Sequence, residues 1–385
     1  SSSVRCVIFP ALNVRVPHSG TATPFTRESL ATQVGQSAAW ALAGNPSPLQ
    51  QEINAMNPRY ALIMYGANDV GGYGPMPPVV EQIVTNLMQI ARVCSDQGVV
   101  PVFTATPIRG GYEDATLTLS HLLRAACQVQ QVPYLNCHRA LMPLPAYGLQ
   151  DDVIHPNSYS YNRSCVFWPQ ALLYGHNLRN LLTLQSLDRL YRLHAAGSYV
   201  PDTPVAAPSG SGLALDPWII DPAYFADGHV VAGPFDHTYR FTTATALSYR
   251  AILARQGVQN SQISLLDGGG GVITQATQSV EAPLAPGTYS VHIAGALAAG
   301  ATQGQYQVVI MPLDALAPAA PSGLTLADVD GKDCLAWNPA TDDGEVVGYR
   351  IYRNDTQVGY AYGTCWPDTE LEAGSNLYSV SAVDA

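Results

Sequence analysis

The chain is short of charge. Asp, Glu, Lys and Arg make up 12% of its 385 residues, and Lys332 is its only lysine, whereas soluble domains usually carry about 25% charged residues. A coat this sparse defends a surface weakly against association, and points either to heavy glycosylation or to a surface meant to be covered by neighbours. The formal net charge of −11, with no basic cluster, argues against nucleic acid and anionic membrane as partners. No apolar run reaches the roughly eighteen residues that a transmembrane helix needs, so no such segment is expected. The seven cysteines contain no Cys-x-x-Cys pair, which argues against a zinc site or a haem attachment; neither metal nor cofactor is implied. A signal peptide is also lacking, and Ser1-Ser2-Ser3 opens the chain without a Met, which reads as a processed product or a truncated sequence.

What is present suggests an exported protein. Cysteines scattered through a Tyr-, Pro- and Gly-rich chain fit an extracellular or cell-surface setting better than a reducing one. The length suffices for two or three domains, each burying its own core.

Two stretches carry chemistry. Tyr60 to Asp69 (YALIMYGAND) is an apolar run of strand length that ends in a glycine and two hydrogen-bonding side chains. A buried parallel strand reads this way, and the carboxyl edge of such a sheet is where open α/β folds keep their sites. Downstream, Gly148 to Asn157 (GLQDDVIHPN) places Asp152 three residues before His155, and Pro156 keeps the segment from being a regular helix. An Asp so placed can hold the imidazole in one tautomer.

Together G-A-N-D and D-x-x-H-P resemble two of the sequence blocks of the SGNH (GDSL-type) serine hydrolases. The resemblance covers roughly Thr26 to Leu193 and implies a flavodoxin-like α/β sheet. It assigns His155 as general base, Asp152 as its orienting partner, and the Gly35 N–H and the Asn68 amide as oxyanion-hole donors. Asp69 is expected to stabilise its loop. Thr26 to Trp40 is similar to the family's second block, a strand and glycine turn around Gly35, a position that also suits a turn needing positive φ.

The family's Gly-Asp-Ser nucleophile motif is absent. Three readings follow: the serine lies upstream of Ser1, has been replaced by a degenerate N-terminus, or is unrecognised; only Ser19 looks even loosely like an exposed serine beside a glycine. With a serine supplied, the chain is an esterase or lipase acting on acyl esters of carbohydrate or lipid. Without one it is a pseudoenzyme, and the alternative is a non-catalytic adhesive or structural protein that binds a cell-surface polymer or self-assembles as a homo-oligomer or filament.

The remaining sequence organises around the central strand. Val4 to Val16 has β-branched content suited to a first strand. Pro78 to Gln97 spaces Ile83, Leu87, Ile90, Ala91 and Cys94 as a helix ended by Gly98, so Cys94 reads as a core thiol. Val99 to Ala105 and Val132 to Asn136 read as strands around a helix over Leu117 to Gln128, and the leucines of Val166 to Leu193 predict a long closing helix. His176 and His194 read as helix-surface histidines. Residues 1–196 therefore form the α/β domain, and 197–212 a Pro/Gly/Ser linker.

Residues 213–313 alternate as short strands, the pattern of a β-sandwich, and resemble pre-peptidase C-terminal domains. A second linker spans 314–322. Residues 323–385 resemble a fibronectin type III domain with Trp337 in its core and its last strand missing, which predicts an unpaired edge. Cys334 and Cys365 are expected on adjacent strands as a disulfide, leaving Cys6, Cys94, Cys127, Cys137 and Cys165 as an odd set. Asp328, Asp330 and Asp333 superficially resemble a calcium loop but fit a solvated turn better, and nothing requires Asp227, His229, Asp236 and His237 to meet a metal. Asn162 and Asn354 head glycosylation sequons.

Overall fold

The computed structural model describes residues 8–9, 28–72, 78–160, 163–196, 210–220, 225–314, 316–329, 332–368 and 375–384. The α/β domain holds one sheet of four strands in the order β1 (Ile8–Phe9), β2 (Tyr60–Ile63), β3 (Val100–Thr104), β4 (Tyr134–Leu135). β2, β3 and β4 run parallel, and β1 lies antiparallel on the edge of β2. Ala61, Leu62 and Ile63 are all buried, as a strand covered on both faces requires.

Helices α1 (Ala38–Ala41), α2 (Pro48–Met56), α3 (Ala67–Gly72), α4 (Pro78–Asp96) and α5 (Glu113–Val129) connect these strands. α2 starts at a reciprocal cap in which Ser47 Oγ accepts from Gln50 N and the Gln50 side chain accepts from Ser47 N, with Pro48 opening the helix. α4 buries Ile83, Leu87, Ile90, Ala91 and Cys94 on one face, and Gly98 turns the chain behind it at φ +73°.

Two expectations change here. Residues 28–37 form turns rather than a strand. The closing helix begins late: α7 (Gly175–Ala196) packs with α6 (Cys137–Leu141), but residues 166–174 hold only a short 3-10 turn. Pro169 disfavours helical geometry at Trp168, and Asn177 Nδ2 captures the Arg163 and Val166 carbonyls at 2.8 and 2.9 Å.

The C-terminal half is all β. Strands β5 (Trp218–Ile219), β6 (Phe225–Val230), β7 (Pro234–Thr243), β8 (Leu247–Gln256), β9 (Val258–Leu266), β10 (Val272–Ala276), β11 (Ser279–Leu284), β12 (Gly287–Leu297) and β13 (Gly304–Leu313) build two sheets. Their orders are β10-β9-β12-β7-β5 and β11-β8-β13-β6. Ala251, Leu253, Val308 and Ile310 face the five-stranded sheet, while the alternating Ile252, Ala254, Val309 and Met311 pack into the α/β core beside α4 and α5. One sheet therefore serves two cores through its period of two.

The last domain pairs β14 (Ser322–Val329), β15 (Lys332–Asn338) and β18 (Cys365–Trp366) in one sheet, with β17 (Thr356–Ala361), β16 (Gly348–Arg353) and β19 (Tyr378–Val383) in the other. Trp337 is in its core with Leu335, Tyr349, Ile351 and Ala361. Among the described strands β19 pairs with β16 alone. No disulfide joins Cys334 to Cys365 in the structure. Cys365 stands opposite Ala336, so Cys334 lies diagonally, two residues along β15, and diagonal neighbours in a sheet are roughly 7–8 Å apart, beyond easy bridging. Cys334 is buried.

Candidate active site

Two loops after the strands of the sheet hold the candidate residues. β2 runs into Gly66, whose φ of +124° and close packing exclude a side chain: an added Cβ would stand 2.6 Å from Leu119 Cδ2. Asp69, in the first turn of α3, is fully buried, and its carboxylate accepts from Ala38 N at 2.9 Å and Gly66 N at 3.1 Å. Burial raises its pKa against the opposing pull of those bonds. Asp69 thus fastens the start of α1 to the end of β2, the stabilising role expected of it.

That fastening sets Gly35 beside Asn68. Gly35 turns at φ +77°, and Asn68 Nδ2 donates to the next carbonyl, Gln36 O, at 3.1 Å. Thr32, Gln33, Gln36, Met64, Gly66 and Asn68 line a pocket between the two segments. An amide carries two N–H groups, so Asn68 retains a second donor besides the one given to Gln36.

The second loop is closed by a bridge between Leu149 and Pro156 and by a 2.8 Å bond from Gln150 N to His155 O. Within it Asp152 Oδ1 accepts from Ile154 N and His155 N, both at 2.9 Å, and Oδ2 accepts from His155 Nδ1 at 2.6 Å. The His155 backbone N–H, then its imidazole, then the Ile154 N–H push the Asp152 pKa down to about 2. The two side chains are 42% and 39% exposed, so the ring's remaining nitrogen, Nε2, sits where a reacting group can approach.

Arg109 and Gly110 join the loops. Arg109 Nη1 donates to Ala67 O beside Asn68, and Gly110 N donates to Val153 O beside Asp152 at 2.8 Å. Gly110 has no room for a side chain, since an added Cβ would lie 2.3 Å from Val153 Cγ2. Reading the sequence missed both residues. The signal was available: Arg109-Gly110-Gly111 follows β3 at the same sheet edge.

His176 differs from a surface histidine. Burial, then Arg179, then His155 lower its pKa to about 4, and its backbone N–H donates to Asn157 O at 2.9 Å. His194 is exposed, as expected. Ser19, Cys6, Asn162 and Asp330 lie outside the described residues, as does nearly all of the first-strand segment Val4 to Val16.

Several of the other acidic residues and histidines meet a partner on another strand. Asp328 faces Asp333 across the β14–β15 hairpin; Asp236 Oδ1 meets His292 Nε2 at 2.7 Å, and His237 Nδ1 meets Tyr306 OH at 2.5 Å. Among the described residues the closest carboxylate group is Asp314, Asp342 and Asp343, whose oxygens lie within 4.8 Å of one another. Burial and the neighbouring Asp342 raise the Asp314 pKa to about 6.

Residues 18–163 match the model of the GDSL-like Lipase/Acylhydrolase family. Exoglucanase B of Cellulomonas fimi is 40% identical over 74 residues, 19% of this chain and 7% of that protein. The chain thus spans a small fraction of the curated relative it matches. Among solved structures, a GDSL-like lipase of Bacteroides thetaiotaomicron is 15% identical with a TM-score of 0.31, covering 40% of this chain and 73% of that one. The pre-peptidase C-terminal domain of a Bacillus anthracis collagenase is 13% identical with a TM-score of 0.19, covering 23% of this chain and 87% of that domain. Gly35, Asn68, Asp152 and His155 all lie within the segment that matches the GDSL-like Lipase/Acylhydrolase model.

Proposed function

We propose that the protein is a secreted ester hydrolase. The observation that carries this reading is the 2.6 Å bond between Asp152 Oδ2 and His155 Nδ1, in a carboxylate already held by two backbone N–H groups. Such a pair presents Nε2 as a base. A serine hydroxyl attacks the ester carbonyl, its proton passes to Nε2, and the tetrahedral oxyanion is held by the Gly35 N–H and the Asn68 amide. The proton then passes to the leaving alcohol, and water releases the acid by the same route. Each oxyanion donor contributes about 2.7–4 kcal/mol to such a barrier.

Secretion rests on composition and cysteine usage, and the substrates are acyl esters of carbohydrate or lipid. The last domain, of fibronectin type III character, and the sandwich before it serve as surface-binding modules.

Hydrolysis of 4-nitrophenyl acetate by the full chain tests the reading. His155→Ala and Asp152→Asn should each lower kcat by roughly 10³-fold or more. Activity unchanged by His155→Ala would refute the site. A second reading, a non-catalytic scaffold that assembles with its own copies, draws on the 12% charge content; it predicts no hydrolysis and an elution size that grows with concentration.

A further inference from the structure

The chain leaving His155 builds an aromatic ledge. Tyr159 sits four residues after His155 in the sequence, and its ring meets two others edge-on: Trp168 at 5.8 Å and 89°, and Tyr174 at 5.6 Å and 82°. Trp168 nonetheless keeps 48% of its surface open. An edge-on contact uses at most one face of an indole, so a broad aromatic face is available to solvent beside the catalytic loop.

The ledge is held in place by buried polar groups. Asn177 is fully buried, and its Oδ1 accepts from Tyr159 N at 3.1 Å while its Nδ2 holds the Arg163 and Val166 carbonyls. Asn180 Nδ2 holds Ser164 O at 3.0 Å. Asn157 Oδ1 accepts from Gly175 N at 2.8 Å, and Gly175 is pressed so close to Gly148 and Pro156 that an added Cβ would stand 2.2 Å from Gly148 O. The Pro156 that follows His155 therefore packs directly on the start of α7, next to Tyr174. A large apolar ring kept exposed on a segment this firmly fastened offers a preformed surface with little ordering cost on binding.

We propose that Trp168, braced by Tyr159 and Tyr174, is a sugar-binding subsite, and that the ester cleaved at His155 is carried by a carbohydrate; the second half of that statement rests on the ester-hydrolase reading above. The negative face of an indole attracts the positively polarised C–H groups of a pyranose ring. Ser160 and Arg163, on the same segment of the chain, are exposed and offer polar groups for sugar hydroxyls. A long acyl chain would instead call for an enclosed apolar channel burying most of its length, and an open ledge with polar neighbours does not provide one.

The test is calorimetric titration of the full chain with cellohexaose, xylohexaose and maltohexaose, none of which carries an ester, and with micelles of dihexanoylphosphatidylcholine. At least one hexasaccharide should bind. Trp168→Ala should weaken that binding by roughly tenfold at an unchanged unfolding midpoint, and Trp168→Phe, which keeps a flat ring, should retain most of it. Binding by no sugar, equal binding by Trp168→Ala, or Trp168-dependent binding of the micelles in place of sugar would each overturn the proposal. Hydrolysis of 4-nitrophenyl acetate, which contains no sugar, is scored separately. Sugar binding without His155-dependent hydrolysis would sink the hydrolase reading while leaving the ledge intact.

Discussion

The two β-domains hold the α/β domain with different balances of apolar and polar contact. The first inserts Ile252, Ala254, Val309 and Met311 into the core that α4 and α5 build, so a single hydrophobic cluster crosses the boundary. The second makes a smaller apolar contact, Val347 and Val383 against Met142 and Ile108, and adds polar groups around α6. Arg350 Nη2 donates to Met142 O at 2.9 Å and its Nε to Pro143 O at 3.3 Å, Gln357 Nε2 also reaches Pro143 O at 2.9 Å, and Tyr362 OH donates to Ala140 O at 2.8 Å. A large apolar seam merges two domains into one cooperative unit, whereas a small one reinforced by hydrogen bonds to carbonyls orients a domain that keeps its own core. The polar grip has a functional address: the Arg350 guanidinium also lies 5.4 Å from the Tyr147 ring, just ahead of the Asp152–His155 loop.

The largest effect should come from the seam. Met311→Ala should cost about 2–5 kcal/mol and lower the unfolding of the α/β domain and the first β-domain together in one calorimetric transition; separate transitions would break the claim of a shared core. Arg350→Ala should cost about 1.5–3 kcal/mol, confined to a transition of the last domain, and a shift of the whole melt instead would make the two attachments alike.

Acid should separate the regions next. His121 and His176 are held near pKa 4, in each case by burial first. A lowered histidine pKa means the unfolded chain takes up protons first, so α/β stability is lost as pH falls from about 6.5 to about 4. Asp314, at the junction of the β-domains, is raised to about 6, so its contribution has the opposite sign. It is present below the usual carboxylate range and is lost as pH rises to about 6. Asp342→Asn should therefore raise the midpoint of the last domain at pH 7 and leave the acid loss of the α/β domain untouched; parallel pH profiles in wild type and variant would contradict the assignment.

The smallest effect belongs to the Arg139–Glu345 pair. At 43% and 62% side-chain exposure, Arg139→Ala should cost no more than about 1 kcal/mol, and raised salt should erase the difference.

What could be read in the sequence follows the same division between local and distant causes. β2, α4 and β16 announce themselves because their apolar periods are local, and the Asp152–His155 pair because its partners stand three residues apart. The late start of α7 was hidden because Asn177 competes for backbone carbonyls from outside the leucine pattern. Arg109 and Gly110 were missed because their targets, Ala67 O and Val153 O, are distant in sequence and backbone carbonyls leave no mark in a motif. The shared core was equally invisible: Ile252 and Met311 alternate as any sandwich strand does, and only the arrival of two helices gives their outer face a purpose. For Cys334 and Cys365, neighbouring strands were foreseen, but the register that sets them diagonally depends on β18.

The central claim is that His155, poised by Asp152, activates a serine for attack on an ester. Labelling the native protein with a fluorophosphonate probe, followed by mass spectrometry of the labelled peptide, tests it most directly. The account predicts one labelled serine, with labelling lost in His155→Ala and strongly slowed in Asp152→Asn. A protein that takes up no label, or takes it up equally well without His155, would contradict it.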